Sequence, residues 1–259
     1  MALLEIQNLS VSFDGIQALQ DVSLEVESGQ LFALVGPNGA GKTTVFNCLS
    51  RICRQDGGEI RFKGEEISGL APHEVPAKGI GRTFQNIELF AGLTTLENIM
   101  LGRHLQTPTG LLGTLFFTPS VRRAEIEARR AAEQIIDLLE LEAVRDVPVG
   151  ELAYGVRKRI ELGRALALEP ELLLLDEPAA GMNVEETEEL AWWIGEISKG
   201  LGIATLLVEH DMRLVMDLSD RVCVLDHGQV IATGRSEEVQ LHPDVIAAYL
   251  GGQHALADV

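Results

Sequence analysis

Residues 31–44 read LFALVGPNGAGKTT. Five apolar residues run into GPNGAGKTT (36–44), which fits the pattern G-x-x-x-x-G-K-[ST], and a helix-like stretch follows from Lys42 to about Arg51. Strand, glycine turn and helix in that order form a phosphate-binding loop. In the loop of Gly36, Pro37, Asn38, Gly39, Ala40 and Gly41 the glycines let backbone N–H groups converge on phosphate oxygens, and the helix N-terminus adds positive potential. Lys42 is placed to reach the β- and γ-phosphates, Thr43 to ligate Mg2+, and Thr44 closes the motif.

A second apolar run, LLLLDEPAAG (172–181), ends in two adjacent acids. Four consecutive leucines suit a strand buried on both faces of a parallel sheet. Ionised carboxylates are costly to bury without a partner, so Asp176 and Glu177 must either reach solvent or meet a cation. In phosphate-loop proteins a second apolar strand lies beside the first and its terminal aspartate holds Mg2+. That is the expectation for Asp176. Glu177, one residue on, then faces the γ-phosphate and is placed to polarise an attacking water.

The rest of the 259-residue chain narrows the class. At 46% hydrophobic residues it can form a substantial core, yet its uninterrupted apolar runs fall well short of the roughly 20 residues a membrane helix needs. The start, MALLEIQNLSVSF, lacks a basic segment followed by a long apolar one, and is not read as a secretion signal. A formal net charge of −18 argues against nucleic acid as a partner. Cys48, Cys53 and Cys223 have no metal-type spacing and are expected to be reduced thiols without a role.

Alternating apolar residues (Leu4, Ile6, Leu9, Val11, Phe13, then Val22, Leu24, Val26) make the first third β-rich, with GGEIRFKG (57–64) a further strand. Residues 94 to 168 read as helical. One helix over 120–140 has Ser120 as its expected cap and Glu125 and Arg129 at i,i+4 spacing, and Glu169-Pro170 closes the next. Strand and helix then alternate through a helix at 184–199, IATLLVE (203–209), a short helix, RVCVLD (221–226) and QVIATG (229–234). The fold class is α/β, with a nucleotide-binding core over 1–92 and 169–259 interrupted by a helical subdomain over 93–168. GLLGTLFF (110–117) is apolar and glycine-containing and is left unassigned.

In this order and spacing the chain resembles the ATP-binding-cassette (ABC) ATPases. Phe13 stands where that family stacks an aromatic on adenine. RTFQNIELF (82–90) looks like the Q-loop, with Gln85 near Mg2+ and the water. LAYGVRKRIELGRAL (152–166) occupies the signature position, AAGMN (179–183) the D-loop, and LLVEHDM (206–212) ends in His210, matching the switch histidine that contacts the γ-phosphate. Two positions depart from the usual pattern. Where the family has L-S-G-G-Q, this chain has Leu152, Ala153, Tyr154, Gly155 and Val156, and the usual D-loop aspartate is Asn183. Within the family, A-Y-G, DEPAAGMN, VEHDM, the ending HPDVIAAYLG and the stretch HLQTPTGLLGTLFFTPSVRRAE look like the ATPases of branched-chain amino-acid importers.

The resemblance implies a P-loop (RecA-like) core with an N-terminal antiparallel β subdomain and an inserted α-helical subdomain. It implies ATP and Mg2+ as ligands and Glu177 as general base. It also implies a second cassette, a related paralogue or a second copy, whose equivalent of Ala153–Gly155 closes over the γ-phosphate. Further implied partners are two integral-membrane permease subunits, which place this chain on the cytoplasmic face of the membrane, and, indirectly, a substrate-binding protein. Ile87, Leu89 and Phe90 are candidates for the groove that receives the permease helices. Phe116 and Phe117 lean to core packing, and RRAEIEARR (122–130) to a solvated face. Alternatives that stay open are cargo of amides or urea, and a soluble or regulatory cassette outside transport.

Overall fold

The structure is a computed structural model that describes residues 2–104 and 119–254. Two sheets organise it. The N-terminal sheet is antiparallel, in the order β2-β1-β4-β5, from β1 (Ala2–Phe13), β2 (Ile16–Glu27), β4 (Gly57–Phe62) and β5 (Glu65–Glu66). Asp14 and Gly15, both at positive φ (48° and 83°), join β1 to β2 where Phe13 faces Ile16. A two-residue turn of that kind matches the right-handed twist of the strands it joins.

The second sheet has six strands, in the order β10-β9-β3-β8-β7-β6. β3 (Leu31–Val35), β6 (Ile80–Arg82), β7 (Leu172–Asp176), β8 (Ala204–Val208) and β9 (Arg221–Asp226) run parallel, and β10 (Gln229–Gly234) closes one edge antiparallel to β9. The leucine run of β7 divides by parity. Leu172 and Leu174 join the core formed with the N-terminal sheet and the helix α1 (Lys42–Leu49), whereas Leu173 and Leu175 join a second core on the opposite face. Both faces are covered, so every residue of β7 is buried, as the continuous apolar pattern requires.

One expectation is corrected here. β7 does not lie beside the P-loop strand, because β8 runs between β3 and β7. β8 therefore stands between the strand that leads into the phosphate loop and the strand that ends in Asp176, and it leads into His210.

The opposite core is covered by α2 (Thr95–Leu101), α3 (Pro119–Leu138), α4 (Tyr154–Leu166) and α5 (Val184–Gly195). α3 buries a single stripe, Ala128, Ala132 and Ile136, at i,i+4,i+8, and its basic face is largely exposed. It begins at Pro119, so Ser120 sits in its first turn and does not cap it; proline's fixed φ suits that first position. The i,i+4 ion pair on α3 is Arg129–Glu133 at 3.7 Å, one turn beyond the expected Glu125–Arg129. The helix expected over 184–199 ends as α5 at Gly195 and continues as a π-turn, Glu196–Gly200. α6 (Met212–Leu218), α7 (Ser236–Gln240) and α8 (Pro243–His254) follow, and Val215, Val239 and Val245 pack against β3 and β9. Among the described residues no helix is long and apolar enough to cross a membrane. The three cysteines are free. The stretch GLLGTLFF, with Phe116 and Phe117, lies outside the described residues.

Leu174 is fully buried between the sheets. Leu174→Ala is expected to cost about 2–5 kcal/mol of unfolding free energy, read from the midpoint of a denaturant titration. A change below about 0.5 kcal/mol would mean that this face of β7 is not packed as described.

Candidate active site

The carboxyl ends of β3, β7 and β8 carry the site. After β3 the chain turns at Gly36 (φ 151°), where a Cβ would fall 2.0 Å from the Leu225 carbonyl oxygen, so glycine is required. α1 then starts at Lys42 with Gly41 as its cap and no side chain on its first N–H groups, which remain open to an anion. Asn38 to Thr44 line a cavity of about 520 Å3 together with Ala18, Gln85, Glu177 and His210. That volume is within the range of small-molecule sites. Lys42 folds back over the loop, donating to the carbonyls of Gly36 (2.7 Å) and Pro37 (3.0 Å). Burial pushes its ammonium below the usual lysine range, and the carboxylates of Glu177 and Asp176 oppose that shift.

Three predicted residues meet at the mouth of the cavity. Gln85 Nε2 donates to Glu177 Oε2 at 2.7 Å, and His210 Nε2 lies 2.5 Å from Glu177 Oε1. Glu177 adopts a left-handed backbone (φ 47°) immediately after β7, and its N–H donates to the Val208 carbonyl on β8 at 2.8 Å. A non-glycine residue in that conformation is held there by its surroundings, and such strain clusters at functional sites. The turn aims the Glu177 side chain at the phosphate loop, whereas Asp176, the last residue of β7, stays inside.

The second apolar run therefore has its answer. Asp176 is 3% exposed and meets a cation: Arg82 Nη2 donates to its Oδ2 at 2.9 Å. Burial raises the Asp176 carboxyl above the usual range, and Arg82 draws it back down. Arg82 was not singled out from the sequence, although it opens the quoted RTFQNIELF stretch three residues before Gln85.

Two more supports lay outside the sequence reading. Glu209, 4% exposed, accepts the N–H of Ala179 at 2.8 Å and that of His210 at 3.0 Å, tying the loop after β7 to the loop after β8. Burial raises its carboxyl, and the two amide hydrogen bonds oppose the shift. Lys158 on α4 is buried beside Glu161 (3.5 Å) and donates to the Gln85 carbonyl at 2.9 Å, so α4 holds the Gln85 loop from below. The signal for Lys158 and Glu161 was two charges three apart on a helix; only packing reveals that they point inward.

Other predicted residues lie elsewhere. Phe13 is half-exposed at the β1–β2 turn and does not line the cavity. Ala153, Tyr154 and Gly155 do not line it either. Tyr154 Oη donates to the Ala180 carbonyl at 3.0 Å, and Gly155 packs so closely on α5 that a Cβ would come within 2.8 Å of Glu186 Oε1. Ala153 caps α4 without a side-chain acceptor, which leaves that helix's first N–H groups open. Asn183 caps α5, accepting from the Glu186 N–H at 2.9 Å while Glu186 accepts from the Asn183 N–H at 3.1 Å. Asparagine and aspartate cap helices about equally well, so this departure from the family pattern preserves the turn. Beside Arg82, an apolar groove of about 530 Å3 is walled by Ile52, Val75, Phe84, Phe90 and Leu101. Of the three residues proposed for such a groove only Phe90 lines it; Leu89 packs into the core under α2 and α4, and Ile87 is half-buried.

A phosphate loop on a parallel sheet, with an acid, an amide and an imidazole converging on its mouth, defines a nucleoside-triphosphate-binding site. The family model for ABC transporters matches residues 19–180, and the chain belongs to that family as an ATP-binding cassette. A model for the branched-chain amino acid ATP-binding cassette transporter matches residues 229–255. The chain is 43% identical over 249 residues to the high-affinity branched-chain amino acid transport ATP-binding protein BraF of Pseudomonas aeruginosa, covering 96% of this chain and 98% of that one. It is 42% identical to the corresponding LivG protein of Escherichia coli, over the same shares of the two chains. Among solved structures, an ATP-binding cassette of an ABC transporter in its ADP conformation superposes with a TM-score of 0.84 at 31% identity, covering 97% of this chain and 99% of that one.

Breaking a buried ion pair costs about 3–5 kcal/mol, whereas replacing both charges by apolar groups is often neutral. Lys158→Met is therefore expected to destabilise by that amount, and Lys158→Met with Glu161→Leu to recover most of it, both by denaturant titration. A double variant no more stable than the single one would show that the pair does not act as a unit.

Proposed function

We propose that this chain is the ATP-hydrolysing subunit of an importer of branched-chain amino acids, seated on the cytoplasmic face of the membrane against two integral-membrane permease subunits. The observation that carries hydrolysis is the meeting of Gln85 and His210 on the Glu177 carboxylate at 2.7 and 2.5 Å. The cargo rests on the relatives, both branched-chain amino acid transport proteins, and on the match at 229–255.

In this reading the triphosphate lies along residues 36–44, held by the first N–H groups of α1. Lys42 exchanges the carbonyls of Gly36 and Pro37 for phosphate oxygens. Glu177 takes the proton of the attacking water, Gln85 and His210 fix its carboxylate, and His210 reaches the γ-phosphate. Such phosphoryl transfer is catalysed by positioning and charge neutralisation more than by covalent chemistry. The residues fit Mg2+ by the chemistry of their donors: the Thr43 hydroxyl, the Gln85 amide oxygen and the Asp176 carboxylate are hard oxygen donors. Mg2+ held by these residues would offset negative charge on the phosphates.

The position of residues 153–155 outside the cavity supports a site completed by a second cassette, a paralogue or a second copy. The uncapped start of that partner's α4 equivalent supplies N–H groups and a helix dipole to the γ-phosphate, which needs no serine hydroxyl. Phe13, exposed at the β1–β2 turn, is available to stack on adenine as the nucleotide enters. The groove beside Phe84 and Phe90 receives a permease helix. A substrate-binding protein acts on the far side of the membrane and touches only the permeases. No part is assigned to nucleic acid.

Glu177→Gln is expected to keep ATP affinity and to lower turnover by about 10²–10⁴-fold, the usual contribution of a general base, measured by phosphate release and by equilibrium nucleotide binding. Turnover within a few-fold of the parent would remove Glu177 as the base. Affinity capture of the tagged chain from detergent-solubilised native membranes is expected to recover two polytopic membrane proteins and a second cassette. Recovery of soluble partners alone would overturn the importer reading.

A further inference from the structure

Arg82 has no part in the phosphate chemistry above, yet both terminal nitrogens of its guanidinium are engaged, while its buried Nε has no hydrogen-bond partner. It ends β6, opposite Leu174 of β7. Nη2 donates to Asp176 Oδ2 at 2.9 Å and to Asn47 Oδ1 at 3.1 Å, and Nη1 donates to Ser50 Oγ at 2.9 Å and to the Phe46 carbonyl at 3.2 Å. Its Cζ lies 5.0 Å from the Phe84 ring centre and 5.7 Å from that of Phe46. The C-terminal part of the P-loop helix and two aromatic rings thus aim one N–H of a permanently charged, planar group at one oxygen of the buried aspartate. Among the described residues Arg82 is the donor to that carboxylate, and it binds Oδ2 alone. The same side chain lines the apolar groove, next to Phe84 and Phe90.

We propose that Arg82 is a positioning residue for the metal: it fixes the Asp176 carboxylate by Oδ2 so that Oδ1 is presented to Mg2+, and it ties that geometry to the groove wall at Phe84. The inference rests on the reading of Asp176 as the Mg2+-holding residue. Two effects of Arg82 oppose each other. Its positive charge disfavours a divalent cation nearby, and its hydrogen bond orders the ligand that receives it. The three hydrogen bonds that anchor the fork besides the one to Asp176 make the ordering effect the larger one, because the guanidinium is fixed in place and spends none of its hydrogen bonds on the oxygen left for the metal.

The test titrates Mg2+ against the full-length chain at fixed concentration of a fluorescent ATP analogue, and separately titrates that nucleotide in EDTA, with folding checked by thermal melting. Loss of an outer-sphere partner of a metal ligand typically weakens metal binding about 10- to 100-fold, so Arg82→Met is expected to raise the half-saturating Mg2+ by that factor while EDTA affinity stays within about twofold. Arg82→Lys, which keeps the charge without the fork, is expected to recover part of the loss. Asn47→Ala removes one anchor and leaves both charges, and so covers the case in which Arg82→Met does not fold. Loss of one hydrogen bond to the fork predicts a shift of about threefold in the same direction. An unchanged Mg2+ midpoint, a tighter one, or an equal loss with and without metal would overturn the inference while leaving the metal reading of Asp176 in place. A parent protein with no Mg2+ dependence would overturn that reading and the inference with it.

Discussion

Everything at the active edge depends on the burial of three parallel strands on both faces. β3, β7 and β8 have no exposed residue, and their apolar side chains alternate between a core shared with the N-terminal sheet and a core under the helices. Burying one leucine fully is worth about 1.5–3 kcal/mol, so the four of β7 hold their strand far more firmly than any single polar contact at its end. That surplus allows β7 to end in a buried Asp176 and a left-handed Glu177, two features that are each unfavourable taken alone.

The loops at that edge are held by buried charge. Arg82 reaches Asp176, Lys158 reaches the carbonyl of Gln85, and Glu209 collects the N–H groups of Ala179 and His210. Each joins two segments distant in sequence, and each is nearly closed to solvent. In a low-dielectric setting such contacts are strong when complete and costly when broken. The loops that carry Gln85, Glu177 and His210 are therefore tied to one another and to α4.

The departures at Ala153, Tyr154 and Asn183 from the family pattern have structural accounts. Asn183 does the capping work of an aspartate. Tyr154, where the family has glycine, is spent on the Ala180 carbonyl, which binds the start of α4 to the loop after β7. Ala153 leaves the first N–H groups of α4 without a side-chain competitor.

The linear pattern by itself determined most strands of the six-stranded sheet, because a run of apolar residues between glycines or charges has few ways to be buried; the three-residue β6 was not legible in it. LFALV, RVCVLD and QVIATG form strands with the boundaries read from them. It also determined the phosphate loop, since Gly36 tolerates no Cβ and the motif is local. Order across the sheet was not legible: β8 enters between β3 and β7, and nothing in a strand's own residues names its neighbours. Nor were the inward-facing charges. Arg82, Lys158, Glu161 and Glu209 look like surface residues in a sequence, because the partners that make their burial tolerable stand as much as 94 residues away, as Arg82 and Asp176 do. Only the tertiary structure decides which charges are paired inside, because the cost of burying each one is settled by groups that the chain brings to it from a distance.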